Sequence, residues 1–184
     1  PFPSFSTLPS AADRTQLPGL SETPYSPFPE LVKTKLDNGI EIVLAPRPDS
    51  TTVVITFLMN GGTSTDFFIK KPGLATLAMN MLDEGTTSLH ALEISEKLSL
   101  LGASIKSYAD LDKCYLTLEC LLPALDESLE LLIDILLHPS FPLPDFERIK
   151  SLQIAGIQRE KMNPAQMAMR VMPKFLFGSD HAYS

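Results

Sequence analysis

The sequence predicts an α+β fold in which helices cover a mostly antiparallel sheet. The folded part of the chain opens with two strands joined by Asp37-Asn38-Gly39, a turn of the type that forms β-hairpins. Strand and helix patterns then follow in blocks, in the order βββαα ββααα, rather than alternating one by one. Blocks of this kind are typical of α+β domains.

The predicted strands are short and rich in β-branched or alternating apolar residues. The third is apolar enough to be a central strand, and the last two form a second hairpin. In the last strand Cys114, Leu116, Leu118 and Cys120 alternate with polar residues and should face the core. The predicted strands span residues 32–36, 40–45, 52–59, 103–108 and 113–121.

The predicted helices have apolar positions at helical spacing and conventional ends. Ser88 is a plausible N-cap of the second helix and Gly102 follows its last residue, while prolines open the three later helices. The helices span residues 73–84, 88–101, 123–137, 144–162 and 164–177. Their inward faces include Ala91, Ile94, Leu98 and Leu101 in the second helix, and Leu125, Leu129, Leu132, Ile133 and Leu136 in the third.

Two cysteines, Cys114 and Cys120, lie on one face of the same predicted strand. At the rise of a strand they are about 20 Å apart. This separation is too large for a disulfide, so both are interpreted as small buried residues.

The first predicted helix has the frame of a metalloprotease site without its chemistry. A second face carries Thr76, Met79, Asn80 and Asp83 at helical spacing. Two histidines at i and i+4 with a glutamate between them would bind zinc and activate water on such a face. This face of the helix contains neither histidine nor glutamate. The opposite, apolar stripe consists of Leu74, Leu77, Ala78, Met81 and Leu82.

The run Gly73–Thr86 resembles the inverted zinc motif His-x-x-Glu-His of the pitrilysin/insulinase (M16) metallopeptidases. By that resemblance Thr76 and Asn80 replace the two histidines, Met79 replaces the catalytic glutamate, and Gly156 replaces the third ligand. Supporting marks are Leu36-Asp37-Asn38-Gly39-Ile40, Met59-Asn60-Gly61-Gly62, Leu101-Gly102-Ala103 and Asn163-Pro164.

The resemblance implies a non-catalytic half or subunit of an M16 zinc protease, similar in fold to the N-terminal subdomain of a mitochondrial processing peptidase. It implies no catalytic or metal-binding residue and no cofactor in this chain, with zinc in a catalytic partner half and a polypeptide as substrate. The alternative is an M16-derived scaffold without proteolytic function. A third alternative, an enzyme with an unrelated active site, is supported by no motif in the sequence.

Residues 1–30 hold seven of the sixteen prolines and show no periodicity, so they are predicted to be a linker or an extended strap. The M16-like domain is predicted to cover residues 31–184. Because the chain begins without methionine and stops at Ser184, where an M16 half continues, it is expected to be a fragment of a protein of the bacterial zinc protease type. The resemblance is compatible with a periplasmic or secreted location, but the sequence does not decide the compartment.

The formal net charge is −7 and no Lys/Arg cluster occurs, which argues against nucleic acid as a partner. No run approaches eighteen apolar residues, so no transmembrane segment is predicted. Several side chains that could bind a metal or a ligand, or take part in acid–base catalysis, are interpreted as structural. They are His90, His138 and His181 at helix ends or the chain end, Asp83, Glu84, Asp110 and Asp112 at turns, and Met162, Met167, Met169 and Met172 on an apolar helix face.

Overall fold

A computed structural model describes residues 29–184 of the chain. The chain divides between Pro48 and Asp49 into two compact units. The predicted linker or strap at residues 1–30 lies outside the described residues, except for its last two positions. Its course therefore stays a prediction.

The first unit contains the predicted hairpin. Strands β1 (Val32–Lys35) and β2 (Glu41–Leu44) pair antiparallel, with Val32 opposite Leu44. The turn closes through Gly39, whose φ of +91° favours glycine. The Asn38 side chain also accepts a hydrogen bond of 3.1 Å from the Ile40 amide.

The second unit contains an antiparallel three-stranded sheet in the order β3-β5-β4. Its strands are β3 (Thr52–Asn60), β4 (Ser104–Ala109) and β5 (Lys113–Leu121). Among residues 29–184 the prediction of a central β3 is wrong, because β5 lies between the other two strands. Val54 and Leu58 on β3 are 62% and 61% exposed, so its apolar composition does not reflect burial on both faces.

Six α-helices belong to the second unit. They are α1 (Thr63–Ile69), α2 (Leu74–Asn80), α3 (Ala91–Leu101), α4 (Leu125–Leu137), α5 (Leu143–Lys161) and α6 (Pro164–Phe177). The sequence did not predict α1. Its first two amides, of Thr63 and Ser64, donate to the backbone of the β4–β5 turn at 2.8 Å. That tertiary contact has no local sequence signal.

Three predicted helix limits need correction. The helix predicted over 123–137 begins at Leu125, because Pro123 lies in a 3₁₀ turn at Leu122–Ala124. The helix predicted over 73–84 ends at Asn80, and a separate 3₁₀ turn follows at Leu82–Glu84. Ser88 is not an N-cap: α3 begins at Ala91, and His90 precedes it. The Ser88 hydroxyl donates instead to Asp134 on α4, at 3.0 Å.

The core lies between one face of the sheet and helices α3 and α4. Cys114 and Cys120 are buried and free, as predicted, and Ile94 faces this core. The predicted inward position of Ile133 is wrong, because α4 buries a different arc. Nearly every position in α4 that is not acidic is apolar, so the pattern alone could not fix the helix phase. The arc buried by α4 contains Ser128, Leu131, Leu132 and Ile135.

Candidate functional site

Helix α2 carries three of the four substituted M16 positions, and a buried carboxylate fixes its start. Asp66 is 4% exposed. Its oxygens accept hydrogen bonds from the amides of Gly73 at 2.9 Å and Ala75 at 3.1 Å. The first amides of a helix have no partner within the helix and favour a negative group, so Asp66 caps α2. Sequence reasoning missed Asp66 because it stands seven residues before the cap position.

Helix α5 packs against α2 and carries Gly156, the fourth substituted position. The side-chain amide of Gln153 on α5 donates to the Gly73 carbonyl at 3.2 Å. Thr76 and Gly156 both line a cleft of about 790 Å³, to which α1, the β4–β5 turn, α6 and residues 182–184 also contribute. The resemblance assigns a first ligand and a third ligand to these positions, and both border this cleft.

The other two substituted positions, Met79 and Asn80, do not line this cleft. Asn80 lines a neighbouring cleft of about 530 Å³, which shares Gln153 with the first. Met79 is 6% exposed and packs in the hydrophobic core. The predicted shared face of α2 is therefore divided, because Met79 points inward. The predicted apolar stripe is also shifted, since Leu74 is exposed and Ala75 is buried.

The residues at these positions do not fit a zinc ion. Within residues 29–184 no group of three or more His, Cys, Asp or Glu side chains could hold a metal. A protein zinc site takes imidazole, thiolate or carboxylate ligands. Thr76 offers a hydroxyl, Asn80 an amide, and Gly156 no side chain at all.

The acidic residues beside the clefts are engaged in structural contacts. Burial raises the pKa of Asp83 above its usual value. Glu84 forms an ion pair with Arg148, which also contacts Asp145 at 3.1 Å. These contacts support the structural interpretation of the acidic pair at this helix end.

The two acidic residues of the β4–β5 turn, Asp110 and Asp112, also accept hydrogen bonds from within the domain. The backbone amide of Lys113 donates to Asp110 at 2.7 Å and is the main cause that lowers the pKa of Asp110. The hydroxyl of Tyr183 donates to Asp112 at 2.7 Å, and this bond raises the pKa of Tyr183. The turn is therefore tied to the segment that follows α6.

His90 and His138 do not line either cleft, whereas His181 directly precedes Ala182, which lines the larger one. His90 precedes α3, and its backbone amide donates to Glu93 at 2.8 Å. His138 caps α4 and pairs with Asp134 at 3.0 Å. The ring of His181 stacks on that of Phe177, with 5.0 Å between the two centroids.

Known proteins share both the sequence pattern and the fold. Residues 42–177 match the family described as Insulinase (Peptidase family M16). The beta subunit of the mitochondrial-processing peptidase of Caenorhabditis elegans is 24% identical over 155 residues, which are 84% of this chain and 33% of that protein.

Two solved structures have a similar fold. The inactive domain of an M16 peptidase from Pseudomonas fluorescens matches with a TM-score of 0.78 and 25% identity, over 84% of this chain and 37% of that one. A protease from Helicobacter pylori matches with a TM-score of 0.70 and 18% identity, over 79% of this chain and 35% of that one. The chain thus spans about a third of the length of these relatives.

The chain belongs to the insulinase (M16) family of peptidases, whose pattern covers most of its length. Within that family it is a non-catalytic domain, with Thr76, Met79, Asn80 and Gly156 at the positions that the resemblance assigns to ligands and base. None of the helices within residues 29–184 has the length and apolar character that a membrane crossing requires.

Proposed function

We propose that this domain forms part of the substrate chamber of a zinc metallopeptidase whose catalytic half supplies the metal. In this role it binds polypeptide and positions it for a partner, and it carries out no hydrolysis itself. Its similarity to one subunit of a processing peptidase supports a function within an assembly.

The burial of Met79 is the observation that carries this proposal. A catalytic glutamate must reach water and substrate, whereas Met79 is 6% exposed and contributes to the core. The residue at the base position therefore stabilises the fold. A residue that is packed in the core cannot act as a general base, which supports a non-catalytic role for this domain.

Strand β4 is suited to bind an extended polypeptide. Within residues 29–184 it pairs only with β5, so its outer edge has no strand partner. A bound chain can add to such an edge through main-chain hydrogen bonds, which need no particular side chain. Tyr108 on β4 also stacks on Tyr115 at 4.6 Å between ring centroids, which provides an aromatic surface beside this edge.

The test compares peptide hydrolysis by the catalytic M16 half in the presence and absence of this domain. We expect kcat/KM on a long unstructured peptide to be at least about tenfold higher with the domain, because binding to β4 orients the substrate. An Ala109→Pro variant should lose much of this gain. Because Asp110 bonds to Lys113 of β5, the alternation of an antiparallel pair directs the N–H of Ala109 to the outer edge of β4, and proline removes that donor.

Lys33→Pro, in hairpin strand β1, is the matched control and should leave the gain intact. Equal rates with and without the domain would exclude it from the chamber. The scaffold function would then be the better account.

A further inference from the structure

Two asparagines of the chain are each followed by glycine. They are Asn38, before Gly39, and Asn60, before Gly61. In such a pair the amide nitrogen of the glycine can attack Cγ of the asparagine side chain, because glycine has no Cβ to hinder the approach. Both asparagines are exposed, so water reaches either one. The local backbone therefore decides which pair reacts.

The reaction is a deamidation that proceeds through a cyclic imide. The glycine nitrogen forms a bond to Cγ, and its proton leaves with the side-chain NH₂ group as ammonia. Water then opens the ring at one of its two carbonyl carbons, which gives aspartate or isoaspartate. The two reacting atoms must first come within attacking distance, so the peptide group between the two residues has to rotate out of a strand or turn conformation. Hydrogen bonds that hold this peptide group slow the reaction.

The second unit holds the peptide group between Asn60 and Gly61. Asn60 is the last residue of β3 and lies opposite Lys113 of β5, whose ammonium group donates a hydrogen bond to the Asn60 side-chain oxygen. The Gly61 amide donates to the Asp112 carbonyl at 3.4 Å. Rotation of this peptide group would break these bonds and separate the end of β3 from β5.

The residues after Gly61 anchor the same segment to the β4–β5 turn. Gly62 is buried, and a Cβ at this position would lie 2.5 Å from the Asp110 carbonyl oxygen. The amides of Thr63 and Ser64 donate to carbonyls of the same turn at 2.8 Å each. Opening this segment therefore requires α1 and the turn to separate, which is a large disruption of the second unit.

Asn38 and Gly39 lie instead in the hairpin turn of the first unit. The Leu36 amide donates to the Ile40 carbonyl and the Gly39 amide to the Leu36 carbonyl, each at 2.9 Å, and the Ile40 amide donates to the Asn38 side chain. Strands β1 and β2 have only four residues each, and residues 31–40 are all exposed. A two-stranded hairpin is marginally stable by itself, so this turn opens more often than the end of β3.

We propose that Asn38 is a site of spontaneous deamidation in the folded protein, with water as the only co-reactant, and that the fold protects Asn60. The two dipeptides have the same chemistry, so the difference between them comes from the backbone around each. The inference is independent of the proposed function, because it uses neither a partner nor a substrate.

Deamidation changes the hairpin in a way that depends on the product. Aspartate at position 38 adds a negative charge next to Asp37 and keeps an oxygen that accepts from the Ile40 amide. Isoaspartate places the side-chain CH₂ group in the main chain, which adds one atom to the turn. The added atom displaces Leu36 from Ile40, so the isoaspartate form should lose the bond between them and open more easily.

The experiment ages the purified chain at mildly alkaline pH and measures modification at both asparagines by peptide mapping with mass spectrometry. We expect Asn38 to react at least about tenfold faster than Asn60 in native buffer, because its turn opens more often. In concentrated urea both segments are unfolded, and the two rates should agree within about threefold. Equal rates in native buffer, a faster reaction at Asn60, or an Asn38 that reacts only in urea would each overturn the inference.

Asn38→Gln is the matched variant, because glutamine would have to form a six-membered ring, which closes much more slowly. It should abolish modification at position 38 and leave the Asn60 rate unchanged. Hydrogen exchange at the Leu36 amide measures the consequence for the hairpin. It should quicken with ageing in the wild-type chain and stay constant in Asn38→Gln. A Leu36 amide that exchanges equally before and after isoaspartate forms would contradict the predicted effect.

Discussion

The hydroxyl of Ser107 donates a hydrogen bond of 2.8 Å to the backbone carbonyl of Met79. This bond connects the strand with the free edge to the last turn of α2. It holds the main chain of Met79 while the side chain packs in the core. The position that the resemblance assigns to the base and the proposed substrate strand are thus in direct contact.

Met79→Glu should destabilise the domain by about 3 kcal/mol at neutral pH. A carboxylate at this buried position has no partner, so it pays the cost of desolvation or takes up a proton. Its folded pKa should be raised, so the loss should shrink as the pH falls. Urea unfolding measures the effect. Asn80→Glu is the matched control, since Asn80 is the exposed neighbour on α2. Equal midpoints for both variants at neutral pH would contradict the packing of Met79.

Substitution of Asp66 should show that its carboxylate caps α2. Asp66→Ala removes the acceptor for the amides of Gly73 and Ala75 and should cost about 2 kcal/mol. Asp66→Asn keeps one acceptor oxygen and should cost less. Thermal unfolding distinguishes the two. A wild-type Tm for the alanine variant would mean that the cap contributes nothing.

Two glycines should respond to alanine in opposite directions. A Cβ on Gly62 would lie 2.5 Å from the carbonyl oxygen of Asp110, whereas a Cβ on Gly156 would meet nothing within 4 Å. Gly62→Ala should therefore cost more than about 2 kcal/mol through overpacking. Gly156→Ala should add about 0.5–1 kcal/mol, because alanine favours a helix interior. Denaturant midpoints that move in the same direction would contradict this geometry.

Asp134 should make stability depend on pH. Hydrogen bonding from Thr86, and then from Ser88 and His138, holds the pKa of Asp134 below its usual value of 3.8. A lowered folded pKa gives stability that is complete above 3.8 and is lost as the pH falls through the folded value. Asp134→Asn should thus lower Tm at neutral pH by a few degrees, and the difference should narrow at about pH 3.

The control for this prediction is Glu130→Gln, one turn earlier on the exposed side of α4. It should leave Tm nearly unchanged at both pH values. A difference for Asp134→Asn that stays constant from neutral to acidic pH would show that the carboxylate charge is not the cause.

The fold class, the second hairpin and α6 were predictable because their patterns are local. Alternation identified the buried face of β5, and Pro164 and Gly178 mark both ends of α6. Position in the sheet was not predictable for β3, since an edge strand with one exposed apolar face has the same composition as a central strand. Helix α1 is held by the β4–β5 turn through backbone contacts, and no spacing of its own residues indicates them.

For the site, the family motif predicted the positions and the structure supplied their environments. Thr76 and Gly156 were related only through the resemblance, because 80 residues separate them in the sequence. Periodicity alone placed Met79 with Thr76, since residues three apart share a helix side. The short α2 and the close packing of β4 direct Met79 into the core instead, which is a tertiary effect.

The metal content of the purified domain tests the central claim most directly. With Thr76, Asn80 and Gly156 in place of zinc ligands, elemental analysis after extensive dialysis should find no stoichiometric zinc, and the domain alone should cleave no peptide. A content of about one zinc per chain that Thr76→Ala abolishes would contradict the claim. The α2–α5 cleft would then be a metal site, and this domain would not be the non-catalytic member of the pair.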